Sequence, residues 1–190
     1  MAKVKMGPQT VLVPLPVTLL SAQLPDGKPN IITISWVGIC CSIPPMLGVG
    51  IRENRFSYDL VKKSGEFVLN IPNEDLVHAA DYCGNVSGRD HNKFKEMKLT
   101  AIPGDIVSAP LIKECPINME CQVRHVLKLG SHDYFVAEIV ETHIDANCLD
   151  DKNKLNVDAL RPYAYMTQKR TYYGGFTKIF GDYGYSIKKK

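Results

Sequence analysis

The stretch Asn30-Ile31-Ile32-Thr33-Ile34-Ser35-Trp36 decides how this chain is read. Its β-branched residues suit a pleated strand, on which residues two apart share a face. Ile32 and Ile34 then point one way, Thr33 and Ser35 the other. A strand with one apolar and one hydroxyl-bearing face can line a polar cleft, and a lone tryptophan beside the hydroxyls suits a planar ligand. A half-exposed strand closed by one core tryptophan satisfies the same pattern.

Strand signals continue on both sides. Residues 16–24 are apolar and β-compatible and stop at Pro25-Asp26-Gly27-Lys28-Pro29, where Asp-Gly is a hairpin signal. Downstream, Pro44-Pro45 breaks the chain before an apolar run over 46–51. Residues 67–70 form a short strand, and 119–129 with 134–144 form a hairpin around Gly130-Ser131-His132-Asp133. Helical patterns are short. They cover 57–63, with Ser57 as N-cap and Gly65 as stop, then 73 or 74 to 83, then 90–97. There is no regular strand–helix–strand alternation, so a doubly wound sheet is disfavoured. A mainly β, antiparallel barrel with short helical insertions is expected.

The chain has 190 residues, 23 Lys+Arg and 20 Asp+Glu. Three of the positive charges are Lys188, Lys189 and Lys190, so the body is electroneutral. That argues against a nucleic-acid binder, which needs a basic face. With 45% hydrophobic and 23% charged residues, the composition is globular. The six cysteines form no C-x-x-C pair, and Cys40 and Cys41 are adjacent, which points to a reducing compartment rather than a disulfide framework. The apolar run over 11–20 is interrupted by Pro14 and Pro16 and is too short to span a membrane. The expected protein is cytoplasmic, with no membrane segment. Residues 1–160 read as one domain. Residues 161–190 hold six of the nine tyrosines and four of the fourteen glycines and read as an extension packed on the domain or on a partner subunit.

Two further segments carry chemistry. In Arg52-Glu53-Asn54-Arg55-Phe56-Ser57-Tyr58-Asp59, two arginines precede a helix start, and helix N-termini with arginine suit phosphate. Surface arginines paired to Glu53 or Asp59 are the plainer alternative. In Ser87-Gly88-Arg89-Asp90-His91-Asn92-Lys93, a loop glycine permits close backbone approach and two cations face an anion, although the spacing is not that of a Walker loop. A solvent loop entering a capped helix is the alternative there. His132 suits a proton donor or a surface turn. Cys115, Cys121 and His125 lack the spacing of a structural zinc site, and no residue set demands a metal or an acid–base dyad.

In order, Asn30-x-x-Thr33-x-Ser35-Trp36, Pro44-Pro45, Arg52-x-x-Arg55-x-Ser57-Tyr58, Gly65-x-Phe67-x-x-Asn70-x-Pro72, Tyr82-Cys83-Gly84 and Ser87-Gly88-Arg89-Asp90-x-x-Lys93-Phe94 resemble the flavin reductase-like FMN-binding split-barrel family, its flavoredoxin branch above all. Ala109-Pro110-Leu111-Ile112, Glu120-Cys121 and Gly130-x-His132-x-x-Phe135 agree. The resemblance implies a six-stranded antiparallel Greek-key split barrel, a homodimer and non-covalent FMN near the subunit interface. It implies Asn30, Thr33, Ser35 and Trp36 along the flavin, and Cys41 and Ser42 in a loop approaching its ring. Arg52, Arg55 and Ser57 would lie at the phosphate, with Ser87, Gly88, Arg89 and Lys93 closing over the cofactor. One departure is Asn92, where the family often has an acidic residue, and it bears on the helix cap and the placing of Lys93.

The implied function is electron transfer by bound FMN. The protein would be either a carrier or a flavin reductase-like oxidoreductase fed by a reduced nicotinamide, a ferredoxin-like protein or another redox partner. A flavin store or sensor without turnover, and a thiol or metal-binding module, are the alternatives.

Overall fold

The computed structural model describes residues 1–24 and 27–187. A seven-stranded, wholly antiparallel sheet dominates it. In chain order its strands are β2 (Thr18–Ala22), β3 (Asn30–Ile34), β4 (Val37–Ser42), β5 (Pro45–Ile51), β6 (Glu66–Ile71), β9 (Ile117–Lys128) and β10 (Asp133–Ile144). Their spatial order is β3-β2-β6-β9-β10-β5-β4. Two small sheets flank it: β1 (Leu15–Pro16) pairs with β11 (Ala164–Met166) and β12 (Thr171–Tyr173), and β7 (Ala101–Ile102) pairs with β8 (Leu111–Ile112). Four short α-helices are inserted, α1 (Phe56–Ser64), α2 (Val77–Asn85), α3 (Lys93–Glu96) and α4 (Val157–Leu160). This is the expected mainly β split-barrel class.

The main sheet has one strand more than the six expected, because residues 37–42 pair with β5 as an edge strand instead of forming a loop. β9 and β10 run twelve residues each, and register shifts at Val136/Ala137 and Ile139/Glu141 let so long a hairpin curl around the core. The β2–β3 pairing is as the Asp-Gly signal predicts, although Pro25 and Asp26 of that turn lie outside the described residues.

Alternation within the strands builds two large cores, beside a smaller cluster of Val68, Val107, Ala109 and Leu111. Leu20, Ile32, Ile34, Val49, Ile51, Phe67 and Phe135 face the barrel interior with Val61 of α1. Leu19 and Ile31, the out-of-phase neighbours, pack with Ala80 and Cys83 of α2 and Phe94 of α3. Both faces of β3 are therefore covered. The Thr33 face carries helix α2, with the Thr33 hydroxyl donating to the Ala80 carbonyl.

Helix boundaries correct the sequence reading. Arg55, not Ser57, is the N-cap of α1, with extended backbone and no side-chain cap bond. Ser57 is the second residue of the helix and is buried in its first turn, where its hydroxyl accepts from Asn30 Nδ2 at 2.8 Å. Gly65 ends α1 at φ 74, a left-handed value that glycine adopts without steric cost. The second predicted helix is a 3-10 turn (Glu74–Leu76), with Asn73 Oδ1 accepting from the Asp75 N–H at 3.1 Å, followed by α2. The third shrinks to α3. There Asn92 supplies the cap, its Oδ1 accepting from the Lys95 N–H at 3.1 Å, so the departure at this position keeps the helix start.

Candidate functional site

Two adjoining cavities, about 430 and 200 Å³, open between β3, the start of α1, the end of α2 and the loop that follows it. They share Ile32, Arg55 and Gly84. The larger one has the size of a small-molecule site, about 300–1,000 Å³.

The larger cavity is lined by Thr33, Ser35 and Trp36 at the end of β3, Arg52 and Arg55 before α1, and His132 from the β9–β10 turn. Trp36 and His132 stack with ring centroids 5.9 Å apart and planes 7° from parallel. Arg52 Nε donates to His132 Nε2 at 3.4 Å, and His132 Nδ1 lies 2.9 Å from the Ser131 hydroxyl. Burial first, and then the Arg52 guanidinium, hold the His132 pKa below its ordinary value. The stacked pair thus presents a flat aromatic edge beside a cation.

The smaller cavity collects polar donors. Asn30, Asn54, Arg55, Ser57, Ser87, Gly88, Arg89 and Lys93 line it. The first turn of α1 contributes N–H groups that the helix leaves without internal partners. Lys93 is 4% exposed, and its ammonium donates to the Ile31 carbonyl at 2.7 Å and the Cys83 carbonyl at 2.8 Å. One of its three N–H donors is left over. Burial, the largest cause, pulls its pKa down to about 8, and the Arg55 charge works in the same direction. Arg89 is held across the cavity mouth, 3.4 Å from Asp59, with Nη1 donating to the Asn54 carbonyl at 3.2 Å. Gly88 has a steric reason: a Cβ there would lie 2.0 Å from Asn30 Oδ1.

Eleven of the thirteen residues picked from the sequence therefore line one cavity or the other. Cys41 and Ser42 line neither. They sit on edge strand β4, where the Cys41 thiol donates to the Ile43 carbonyl at 3.4 Å. The sequence reading missed Tyr165, Arg170 and Tyr172 of the β11–β12 hairpin, which close the larger cavity. The only local signal for them was the tyrosine enrichment of the tail.

The cysteines do not converge on a ligand set. Cys115 and Cys121 are buried and His125 is exposed. Among the described residues, the group close enough to share a metal is Asp105, Glu120 and His143. Its centre, Glu120, is already saturated. Oε1 accepts from the Asp105 N–H and His143 Nε2, and Oε2 accepts from the Ile106 and Val107 N–H groups, all at 2.7–2.9 Å.

Comparison with known proteins agrees with the geometry. The family model described as "Flavin reductase like domain" matches residues 10–174. The structure superposes on flavoredoxin of Desulfovibrio vulgaris (Miyazaki F) with TM-score 0.91 and 31% identity, over 97% of this chain and 100% of that one. It superposes on flavoredoxin from Methanosarcina acetivorans with TM-score 0.87 and 30% identity, over 98% and 100%. An uncharacterised protein of Archaeoglobus fulgidus is 39% identical over 120 residues, 63% of this chain and 68% of that protein.

Proposed function

This chain belongs to the flavin reductase-like domain family, in its flavoredoxin branch, and on that premise we propose that it binds FMN and transfers electrons through it. The observation that carries the reading is the graded chemistry of the two joined cavities. A flat aromatic edge (Trp36, His132) gives way to hydroxyls (Thr33, Ser35) and then to a cationic, N–H-rich end (Arg55, Ser57, Ser87, Arg89, Lys93). A molecule with a planar ring, a hydroxylated chain and a terminal phosphate matches that gradient. Bound FMN supplies the redox chemistry, and the protein supplies binding, orientation and electrostatic tuning.

The residues divide the work. Lys93, fixed between β3 and α2 by two carbonyls, places one positive charge with little freedom to move. Arg55 serves both cavities, so it marks where chain and phosphate meet. Gly88 lets the Ser87–Arg89 backbone close onto Asn30. Trp36 and His132 shield one edge of the ring from water.

We also propose a homodimer with its flavin near the interface. The apolar residues Ile39 and Ile43 near edge strand β4, Leu127 and Leu129 at the β9–β10 end, and Ile179 and Phe180 of the tail are all exposed in a single subunit, and a second copy would cover such surface. Among the described residues no helix is long and apolar enough to cross a membrane.

The test is direct. The purified protein should take up FMN, with riboflavin bound at least tenfold more weakly because it lacks the phosphate. A colourless protein that binds neither sinks the reading. Anaerobic reduction of the bound flavin by NADH, NADPH and ferredoxin in parallel then identifies the donor and separates a carrier from a reductase.

A further inference from the structure

The arginines of this chain divide into two groups. Arg89, Arg124 and Arg161 each pair with a carboxylate, Asp59, Glu138 and Asp75 respectively. Among the described residues, Arg52, Arg55 and Arg170 have no carboxylate partner, and all three line the larger cavity. Arg52 has a side-chain bond to His132. Arg170 has none among the described residues. It is carried by the loop between β11 and β12 with its backbone in the left-handed region (φ 53) and its N–H donating to the Met166 carbonyl at 2.8 Å.

The hairpin that carries Arg170 is anchored to the cavity wall. Tyr172 packs against Tyr163 and Tyr165, with ring centroids 6.0 and 5.6 Å apart. Its hydroxyl donates to Asp81 at 2.9 Å, and the Gly175 N–H donates to Glu74 at 2.8 Å. Asp81, the one carboxylate in the lining among the described residues, accepts from Tyr172 and makes no ion pair with Arg170.

One phosphate does not account for this charge. Under the FMN reading, Arg55, Arg89 and Lys93 already face that phosphate from the smaller cavity, which Arg170 does not line. A guanidinium with free donors at the wall of an aromatic cavity suits an oxyanion, bound in the bidentate manner arginine favours. We propose that Arg170 selects the small-molecule redox partner of the flavin by binding a phosphate or carboxylate group on it. The partner is therefore an anionic molecule that enters beside Tyr165 and Tyr172. The inference rests on the FMN reading, because Arg170 is surplus only once the flavin phosphate is placed.

The test uses the flavin-loaded full-length protein and two non-reducing probes: ADP-ribose for the phosphates of a dinucleotide, and benzoate for an aromatic carboxylate. Binding is followed by equilibrium dialysis and by the change in flavin absorption. The expected result is that one probe binds the wild type. Arg170→Gln weakens it at least tenfold, Arg170→Lys falls between, and FMN stays bound in all three. Which probe binds tells a dinucleotide from an organic acid. The proposal is overturned if neither probe binds the FMN-loaded wild type, or if Arg170→Gln leaves probe affinity unchanged. It is also overturned if Arg170→Gln loses FMN, which would put Arg170 in the flavin site. A wild type that takes up no FMN overturns the functional reading itself, and this inference with it.

Discussion

Lys93 combines structure and site in one side chain. Its ammonium ties the Ile31 carbonyl of β3 to the Cys83 carbonyl of α2 in a buried position. Lys93→Met should cost about 2–3 kcal/mol in urea unfolding, since two buried acceptors lose charged donors. Its pKa is about 8 in the folded protein against an ordinary 10.5. The unfolded chain then binds more protons between those values, so this group's contribution to stability rises with pH across that window. Below about pH 8 the cost of burying the charge is fully present. The stability difference between wild type and Lys93→Met should therefore widen from pH 8 towards 10, and a flat difference would refute the depressed pKa. Gly88 tests the neighbouring loop. Gly88→Ala forces a methyl onto Asn30 Oδ1, 2.0 Å away, and should weaken FMN binding about tenfold, close to 1.4 kcal/mol. Flavin fluorescence titration measures this, with far-UV circular dichroism expected to stay unchanged.

At the scale of elements, Glu120 on β9 organises the segment that joins β7 to β8. Three successive N–H groups, of Asp105, Ile106 and Val107, and His143 on β10 all donate to one buried carboxylate. Burial pushes its pKa up, but the N–H donors, Val107 foremost, and His143 outweigh that and bring it from 4.5 to about 2. A carboxylate with a depressed folded pKa adds stability that is present above about pH 4.5 and is lost as the pH falls towards 2. Glu120→Gln should destabilise the protein by about 3 kcal/mol at pH 7. It should also flatten the acid limb of the stability profile, as measured by urea unfolding at pH 7 and pH 3. Equal acid sensitivity in both proteins would show that Glu120 is not the group responsible.

On the scale of the molecule, the C-terminal hairpin is part of the wall of the larger cavity. β11 pairs with β1 through Leu15↔Tyr165 and Pro16↔Ala164, and Tyr163 joins the core behind α2. A chain ending after Gly174 retains the Tyr165 and Tyr172 wall and should keep its FMN. One ending after Tyr163 opens the larger cavity and should lose most FMN affinity. Titration of both truncations decides this, and gel filtration of the longer one reports whether residues 175–190 contribute to a dimer. Similar FMN affinity in the two truncations would refute the hairpin's role.

By itself the sequence determined the strand alternation, the antiparallel class and the two cation clusters, Arg52/Arg55 and Arg89/Lys93. These depend on period, turn chemistry and near-neighbour spacing, which are local. Tertiary structure decided what each candidate faces. Thr33 looked like part of an open hydroxyl face; it lines the larger cavity, but α2 packs on it and its hydroxyl donates to the Ala80 carbonyl. Cys41 and Ser42 read as a loop near the ring, yet edge pairing with β5 takes them out of both cavities. Asn70 belongs to a motif that carries the family resemblance. It is a buried strut whose Nδ2 donates to the Leu19 carbonyl at 2.8 Å and whose Oδ1 accepts from the Ile112 N–H at 3.0 Å. Arg170 lies 118 positions beyond Arg52 and reaches the same cavity only because the terminal hairpin folds back onto β1. Contacts at that separation arise from strand pairing and packing across the whole chain, and no local pattern of residues encodes them.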